Sequence, residues 1–262
     1  SIGIQPDALV CRSELPLPKA QRKKIALFTN VTEAAVISAH DAQDIYEIPL
    51  ILREQGLDDI IVKKLNLNVS KPNLRDWESV LQAKDNSNGK VRIAMVGKYV
   101  DFRDSYISLS EALRHAGFKT YTDIQIEYVE SEEIQRQGAK PLLESMDAIL
   151  IPGGFGDRGI EGMIDSIEFA RINNKPYLGI CLGLQAAVIE YARNKLHLTD
   201  ANSTEFNPGT RAPVIALIKE WMNTDGSVEN RSESSDLGGS MRLGAQECIL
   251  SDQSMAKNIY QK

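Results

Sequence analysis

The sequence predicts an α/β protein built around a doubly wound, mostly parallel β-sheet. From residue 90 onward, short apolar runs alternate with longer segments of mixed polarity, and strands that alternate with helices in this way form parallel sheets. The run 148–151 is continuously apolar, as a strand covered on both faces must be. A glycine-rich turn at 152–156 follows it, and such sheets bind their ligands at the carboxyl ends of the strands.

Composition excludes several classes of function. Of the 262 residues, 42% are hydrophobic and 25% are charged, which is ordinary for a globular protein. The net charge of −6 argues against nonspecific binding to nucleic acid. No apolar run approaches the roughly 18 residues of a membrane span, and no secretory signal opens the chain, so no membrane partner is expected. Three separated cysteines (Cys11, Cys181 and Cys248) lack metal-ligand spacing, and their odd number suits a reducing cytoplasm.

Residues 1–63 are predicted to be the C-terminal part of a larger α/β domain. Three parallel strands are too few to form a sheet that is covered on both faces. Gly56 is a typical glycine stop for the last helix of this block. The expected strands are 8–11, 24–28 and 36–38, and the expected helices are 17–23 and 45–55.

Residues 64–89 are predicted to link two domains, because apolar density falls there and the turn-rich stretch 85–89 ends the segment. Within the linker, 77–81 is predicted to be a helix that packs its apolar side. Residues 90–262 then form the second domain. Its expected strands are 91–96, 124–129, 148–151 and 177–180, and its expected helices are 105–115, 132–144 (split at Gly138 and Pro141), 160–172 and the segment from 184 onward.

Cys181 lies on the turn between a predicted strand and a predicted helix. The pattern Gly179-x-Cys181-x-Gly183 is the cysteine form of a nucleophile elbow, in which small neighbours permit a strained turn that exposes the reactive atom. The helix N-terminus also favours thiolate over thiol. The alternative is a buried, inert cysteine. The flanking glycines and the strand-to-helix context favour a nucleophile.

The glycines before residue 160 admit two interpretations. Residues 154–159 match G-x-G-x-x-G after a strand, but a dinucleotide site also needs an acidic residue about 20 positions on, and Cys181 closes the next strand instead. We therefore expect the backbone N–H groups of Gly153 and Gly154 to form an oxyanion hole, a contribution of about 3 kcal/mol per donor. A loop chosen only for its turn geometry is the alternative.

Residues 97–98 resemble the end of a phosphate-binding loop. Arg92 stands where such a loop needs glycine, and Tyr99 replaces its Ser or Thr, so an ATP site of this type is excluded here. Lys98 is accordingly predicted to be a surface residue at the end of a strand.

A catalytic cysteine normally has a histidine base, and the sequence contains three histidines. His115 lies near the C-terminal end of a predicted helix, where the helix dipole favours a cation. Its presence there therefore needs no catalytic explanation. His197 follows the elbow helix about four turns from Cys181, which is too far for contact. His40 belongs to the first block. The required base is missing from this sequence.

These motifs resemble a known family. Pro-Gly-Gly-Phe-Gly at 152–156 and Gly-Ile-Cys-Leu-Gly-Leu-Gln at 179–185 resemble the class I (triad) glutamine amidotransferases. Three further segments, 1–7, 202–206 and 231–244, are similar to the CTP synthase family of bacterial type. The resemblance covers essentially the whole chain. It implies a flavodoxin-like amidotransferase domain preceded by the tail of a second, Rossmann-like synthetase domain.

The resemblance also implies an activity. Members of that family make CTP from UTP, using ATP with Mg²⁺ as co-substrate and ammonia released from glutamine through a cysteine thioester. It implies a homotetramer as well. No ATP or Mg²⁺ is expected to be bound within these residues.

Site residues follow by motif. Cys181 matches the nucleophile, and Glu205 matches the carboxylate that holds the amino group of glutamine. The glutamine and oxyanion positions are Gly153, Gly154, Leu182, Gly183, Leu184, Gln185 and Glu205; the nucleotide positions are Arg12, Lys24, His40, Asp41 and Ala42.

The departures from the family pattern matter equally. The family's P-loop and its His-x-Glu pair are absent from this sequence, so the chain is expected to be a fragment, truncated at both ends, with little glutaminase turnover. A noncatalytic binding or assembly module on the same fold is the alternative. A cysteine hydrolase or redox sensor of similar fold is a third reading, and it predicts no selectivity for glutamine.

Overall fold

The computed structural model describes residue 3 and residues 5–98, 103–216, 220–222, 228–230 and 249–260, with only the backbone at 103–104, 220–222 and 228–230. The motif segment 231–244, Tyr99 and Cys248 lie outside the described residues. None of the described helices is long and apolar enough to cross a membrane.

The first block contains two parallel strands and three helices. Its strands pair in register from Leu9 with Val36 to Ser13 with His40, so their carboxyl ends lie at one edge. Gly56, with a φ of 74°, follows the helix predicted at 45–55, which confirms the stop, but this helix is not the last of the block: a helix that was not predicted begins at Leu57. The elements are β1 (Leu9–Ser13), α1 (Lys19–Thr29), β2 (Val36–His40), α2 (Ile48–Glu54, after a 3-10 turn at Ile45–Glu47) and α3 (Leu57–Lys64).

The strand predicted at 24–28 is wrong, because α1 continues through it. No glycine or proline interrupts the sequence between Pro18 and Asn30, and the helix ends where Asn30 takes the left-handed conformation. Leu27 is 79% exposed, whereas a strand of a parallel sheet would be buried. The apolar run is too short to distinguish a strand from one side of a helix.

The linker contains the predicted helix, here α4 (Arg75–Asp85), and it packs against both neighbours. Trp77 donates from Nε1 to the carbonyl oxygen of Tyr46 at 2.6 Å. Lys84 forms an ion pair with Asp44 at 3.1 Å. The linker is therefore fixed to the first block by its side chains.

The second block contains the predicted parallel sheet, and its strand order β4-β3-β5-β6 is that of a flavodoxin-like fold. Gly138, with a φ of 84°, splits the helical segment after β4, whereas Pro141 lies inside the helix that follows. The strands are β3 (Gly89–Gly97), β4 (Thr122–Glu130), β5 (Ala148–Ile151) and β6 (Tyr177–Gly179); the helices are α5 (Ile107–Thr120), α6 (Ser131–Gln137), α7 (Ala139–Leu143), α8 (Ile160–Ile172) and α9 (Leu182–Asn194).

Short elements complete the described part of the chain. The parallel pair of β7 and β8 packs beside α9. These elements are β7 (Ala201–Ser203), β8 (Ala212–Ile215), the antiparallel pair β9 (Glu220–Met222) and β10 (Val228–Asn230), and α10 (Met255–Tyr260).

The central strand β3 is buried on both faces. Ala94 and Val96 belong to the core shared with α8 and α9, whereas Ile93 and Met95 belong to the core on the α5 side. Because successive side chains of a strand point to opposite faces, one strand serves two helical layers. The doubly wound arrangement is thus confirmed, and it brings the carboxyl ends of β3, β5 and β6 to one edge of the sheet.

Candidate active site

Cys181 occupies a sharp turn between β6 and α9. It is the N-cap residue of α9, and its φ of 54° and ψ of −105° lie in a region that L-residues rarely adopt. Such a conformation costs about 1–3 kcal/mol and persists only where the surroundings impose it. The side chain is exposed. The predicted elbow is confirmed in its geometry.

Close packing of the two flanking glycines imposes this turn. A Cβ on Gly183 would lie 2.3 Å from the carbonyl oxygen of Ile151, and a Cβ on Gly179 would lie 2.5 Å from the carbonyl carbon of Gly183. Tyr177 donates from Oη to the Gly183 carbonyl at 2.7 Å, and burial raises the pKa of its phenol, which keeps it a donor. The elbow is therefore held by the end of β5 and by Tyr177.

The glycine loop after β5 lies directly against the elbow. A Cβ on Gly153 would lie 3.5 Å from Cβ and 3.9 Å from Sγ of Cys181. A Cβ on Gly154 would lie 3.2 Å from Leu182 Cδ2. Within the described residues, the N–H groups of Gly153 and Gly154 donate no hydrogen bond. The backbone of Gly153 thus lies against Cys181, and that of Gly154 lies against the next residue, Leu182.

Four further predicted positions occupy the first turn of α9. Leu182 is buried at 1% exposure with its side chain in the core, whereas Leu184 is 60% exposed. Gly183 is buried and Gln185 is half-buried. Gln185 donates its backbone N–H to the Cys181 carbonyl at 3.1 Å. The Leu182 side chain therefore packs in the core beside Gly154, whereas Leu184 is open to solvent.

Lys98 was predicted to be a surface residue, and this prediction is wrong. The residue is only 3% exposed, and its Nζ donates to the carbonyl oxygens of Phe155, at 3.1 Å, and Gly156. Burial lowers the pKa of Lys98, and the nearby Glu205 partly opposes that effect. One signal in the sequence did point here: strand β3 brings Lys98 to the same edge of the sheet as the two motifs.

Glu205 reaches the same loop from the other side. It follows β7, is exposed, and its Oε1 accepts a hydrogen bond from the N–H of Gly156 at 2.8 Å. The turn is organised by Ser203, whose Oγ accepts from the Glu205 N–H at 3.2 Å. The structure thus brings Glu205 into the group formed by Cys181 and the glycine loop.

Arg158 fixes the far end of the loop. It donates to the carbonyl oxygen of Lys98 and to Glu132 Oε2, the latter at 2.8 Å. Nothing in the sequence motifs singled out this arginine. Its position follows from the tertiary fold, which places the ends of β3 and β4 beside the loop.

All three histidines lie within the described residues, and each is placed away from the elbow. The Nε2 of His115 lies 2.5 Å from Tyr46 Oη, and Tyr46 donates to Glu111, so His115 is the donor of its pair. His40 ends β2 in the first block, and His197 follows α9. A residue at the end of that helix lies about 20 Å from its start.

Only some of the predicted nucleotide-binding residues of the first block lie close together. Arg12 forms an ion pair with Asp41 at the carboxyl ends of β1 and β2, and Ala42 follows. The Nδ1 of His40 is buried and has no hydrogen-bond partner among the described residues. Lys24 is exposed on α1.

Comparison with known proteins finds two family models and a solved structure that this chain resembles. The family model described as glutamine amidotransferase class-I matches residues 101–262, and the model described as CTP synthase N-terminus matches residues 1–67. Among solved structures, the glutaminase domain of Trypanosoma brucei CTPS with bound acivicin is 39% identical, with a TM-score of 0.46, over 52% of this chain and 53% of that chain. This chain thus spans about half the length of that solved chain. Because the amidotransferase model covers more than half of its residues, the chain belongs to the class I glutamine amidotransferase family, with a segment of CTP synthase N-terminal type preceding the amidotransferase region.

Proposed function

We propose that this chain carries the glutamine-hydrolysing site of a CTP synthase, in which Cys181 releases ammonia from glutamine. One observation carries the proposal: an exposed cysteine stands in a strained elbow at a helix N-terminus, beside a glycine whose backbone N–H donates no hydrogen bond within the described residues. A cysteine that served only packing would need neither the strain nor the exposure.

The proposed chemistry uses the groups already assembled. The Cys181 thiolate attacks the side-chain amide carbon of glutamine, and the negative charge moves to the carbonyl oxygen. The N–H groups of Gly153 and Gly154 stabilise that oxyanion. The carbon–nitrogen bond then breaks, the nitrogen takes up a proton and leaves as ammonia, and a thioester remains. Water cleaves the thioester to glutamate and restores the thiol.

Substrate selection is assigned to Glu205. Its carboxylate is exposed at the loop beside the nucleophile, where it can accept a hydrogen bond from the α-ammonium group of glutamine. Leu182, Gly183, Leu184 and Gln185 supply the adjoining wall, which is the first turn of α9. A ligand without an amino group would lose this charge-assisted contact.

Turnover by residues 1–262 alone is proposed to be slow. None of the three histidines contacts Cys181, so no imidazole is available to protonate the leaving nitrogen or to activate water. Removal of one member of a catalytic triad costs several orders of magnitude in rate. Binding of glutamine or alkylation at Cys181 is therefore proposed to be more evident than release of ammonia.

The first block is proposed to belong to the nucleotide half of the same enzyme. Its support is the grouping of Arg12, His40, Asp41 and Ala42 at one strand edge, with Lys24 as a further candidate on α1. In this proposal ATP with Mg²⁺ activates UTP for amination, and the protein is a cytoplasmic homo-oligomer. The proposed division is 1–63 for the synthetase part, 64–89 for the linker and 90–262 for the amidotransferase domain.

Labelling with a chloroketone analogue of glutamine tests the glutaminase site. We expect modification of Cys181 in preference to Cys11 and Cys248, protection by excess glutamine, and loss of labelling in Cys181→Ser. Glu205→Gln should raise the half-saturating concentration of the analogue about tenfold, since it removes a charge-assisted contact worth about 1.5 kcal/mol. Equal labelling of all three cysteines would exclude the proposal, and so would labelling that glutamine does not slow.

A further inference from the structure

The buried ammonium of Lys98 is the feature that the proposed function leaves unexplained. Burial of an unpaired charge is costly, so buried lysines are normally paired with carboxylates. Among the described residues, no carboxylate lies within ion-pair distance of this Nζ. Its hydrogen bonds go instead to two successive backbone carbonyls, of Phe155 and Gly156, in the loop beside Cys181.

The two carbonyl contacts determine how a particular peptide group is oriented. The carbonyl oxygen of Phe155 accepts from Lys98 at 3.1 Å, and the N–H of the same peptide, on Gly156, donates to Glu205 at 2.8 Å. The C=O and N–H of a trans peptide point in opposite directions. Lys98 and Glu205 therefore hold the peptide from its two sides, and it cannot rotate without breaking one of these charge-assisted bonds.

The held peptide adjoins the proposed oxyanion donors. Gly154 directly precedes Phe155, and a Cβ on Gly154 would lie 3.9 Å from Cδ of Lys98, so the lysine stem also packs along this glycine. A glycine-rich loop has few side-chain contacts of its own to define its backbone. The orientation of the N–H groups next to Cys181 thus depends on contacts that the loop receives from outside.

A second residue ties the loop to the lysine. Arg158, at the end of the loop, donates to the backbone carbonyl of Lys98, so strand β3 is bonded to the loop both through the Lys98 side chain and through its main chain. The end of β3 and the loop are thus bonded to each other in both directions. Neither segment can move independently of the other.

We propose that Lys98 is a positioning residue for glutamine hydrolysis: its ammonium holds the Phe155–Gly156 peptide so that the preceding glycine N–H groups face the oxygen of the substrate bound at Cys181. This inference rests on the proposed function. Lys98 touches the loop rather than the substrate, so it acts on the rate of covalent reaction and has little effect on binding of the amino group.

The experiment compares two electrophiles on the 262-residue chain. A chloroketone analogue of glutamine reacts through a carbonyl that occupies the oxyanion position, whereas iodoacetamide alkylates the thiol by direct displacement and needs no such hole. In Lys98→Met we expect the maximal rate of Cys181 labelling by the chloroketone to fall about tenfold, with its half-saturating concentration changed less than twofold. Labelling by iodoacetamide should change less than twofold.

Lys175→Met is the matched control. Lys175 also donates to two backbone carbonyls, of Glu144 and Met146, but these lie before β5, at the opposite edge of the sheet. This variant removes the same kind of contact and should label like the unsubstituted chain. Lys98→Arg, which keeps a charged donor, should recover part of the lost rate.

The possible outcomes separate the two proposals. If the unsubstituted chain labels selectively and Lys98→Met labels equally fast, the positioning role is overturned while the glutaminase site stands. If the unsubstituted chain shows no selectivity for the glutamine analogue, the proposed function itself fails. Equal slowing with both electrophiles, or equal slowing in Lys175→Met, would show a general loss of structure and would also contradict the positioning role.

Discussion

At the scale of single residues, the strained backbone of Cys181 is the most specific property of the site. Its φ of 54° and ψ of −105° are imposed by neighbours that leave no room for side chains at Gly179 and Gly183. Strain of this kind is a cost to folding that persists because it exposes the sulfur above the helix N-terminus.

That strain predicts a reversed order of stability for two substitutions. Cys181→Gly should be more stable than Cys181→Ala by about 1 kcal/mol, because glycine adopts positive φ without steric cost. At Val188, in the middle of α9 and 39% exposed, glycine should be the less stable of the same pair by about 1 kcal/mol. Urea unfolding of the four variants measures both differences. The same order at both positions would mean that the elbow is unstrained.

The sequence could predict the cysteine of the elbow but not the residues that hold its surroundings. Glycine spacing and the change from strand to helix were enough to place Cys181, because those signals are local. Lys98 was misplaced because the direction of a side chain at a strand end depends on what packs around it. The hydrogen bonds from Lys98 to Phe155 and Gly156 join residues that are 57 and 58 positions apart in the sequence. No local sequence pattern can predict contacts over such a separation.

At the scale of elements, the elbow depends on how closely α9 approaches strand β5. Gly183 is in the first turn of α9, and its missing side chain lets that turn contact the last residue of the strand, Ile151. The helix is also tied to α8 by the ion pair of Arg171 with Glu190, whose carboxylate is 2% exposed. The position of α9 is thus set near both of its ends.

Gly183→Ala should therefore destabilise the protein. The added Cβ would meet the Ile151 carbonyl oxygen at 2.3 Å, so the helix must shift, and overpacking of this kind costs about 1–3 kcal/mol. Gly89→Ala is the control, since a Cβ at the start of β3 would meet nothing within 4 Å. We expect the control to change stability by less than about 0.5 kcal/mol in urea unfolding. A neutral Gly183→Ala would show that this contact does not position the helix.

Elements were predictable to different degrees, and the reason is physical. Strands β3 and β5 were found because their buried residues read as apolar runs. Strands β4 and β6 lie at the edges of the described sheet and contain no buried residue, and they were found from shorter or alternating apolar patterns. Helix α1 was cut short because residues 25–28 are also apolar, although Leu27 and Phe28 are more than three-quarters exposed. A sequence pattern reports apolar character, but it cannot report whether another element covers it.

At the scale of the whole molecule, a cluster of charged residues joins the first block to the second block, which contains the four-stranded sheet. Asp44 is 8% exposed and accepts hydrogen bonds from the Tyr46 N–H at 3.1 Å and from Arg114, in α5, at 2.9 Å. Lys84 of the linker helix pairs with the same carboxylate at 3.1 Å. Beside it, burial and the hydrogen bond to Glu111 raise the pKa of Tyr46 to about 12. Three successive parts of the chain thus meet at one carboxylate.

From this cluster we predict that Asp44→Asn loses stability and that the size of the loss depends on pH. Burial alone would raise the pKa of Asp44, but the bonds from Tyr46 and Lys84 and the charge of Arg114 outweigh it and hold the pKa below its usual value. The folded state therefore favours the ionised carboxylate of Asp44. Its contribution to stability is complete above the usual pKa of aspartate and is lost as pH falls through the lowered pKa of the folded state. At pH 7 we expect Asp44→Asn to lose about 2 kcal/mol.

Urea unfolding at pH 7, 5 and 3.5 measures this loss. The difference between Asp44→Asn and the unsubstituted chain should be equal at pH 7 and pH 5 and smaller at pH 3.5. Glu144→Gln removes an exposed pair with Lys140, with side chains 67% and 74% exposed, and should cost less than about 0.5 kcal/mol throughout. A difference that grows on acidification would reverse the sign derived from the contacts.

The bond between Glu205 and the Gly156 N–H gives the site a built-in competition. The Glu205 carboxylate is proposed to receive the ammonium group of a ligand. It already accepts a hydrogen bond from the Gly156 N–H, which helps to order the loop. A cation bound to Glu205 weakens the bond between Glu205 and the Gly156 N–H. By thermodynamic reciprocity, strengthening that one bond lowers the affinity of Glu205 for the cation by the same factor. Ligand affinity and the strength of this bond are then two measures of one equilibrium, so amide hydrogen exchange at Gly156 would report the presence of a ligand that the amide itself does not touch.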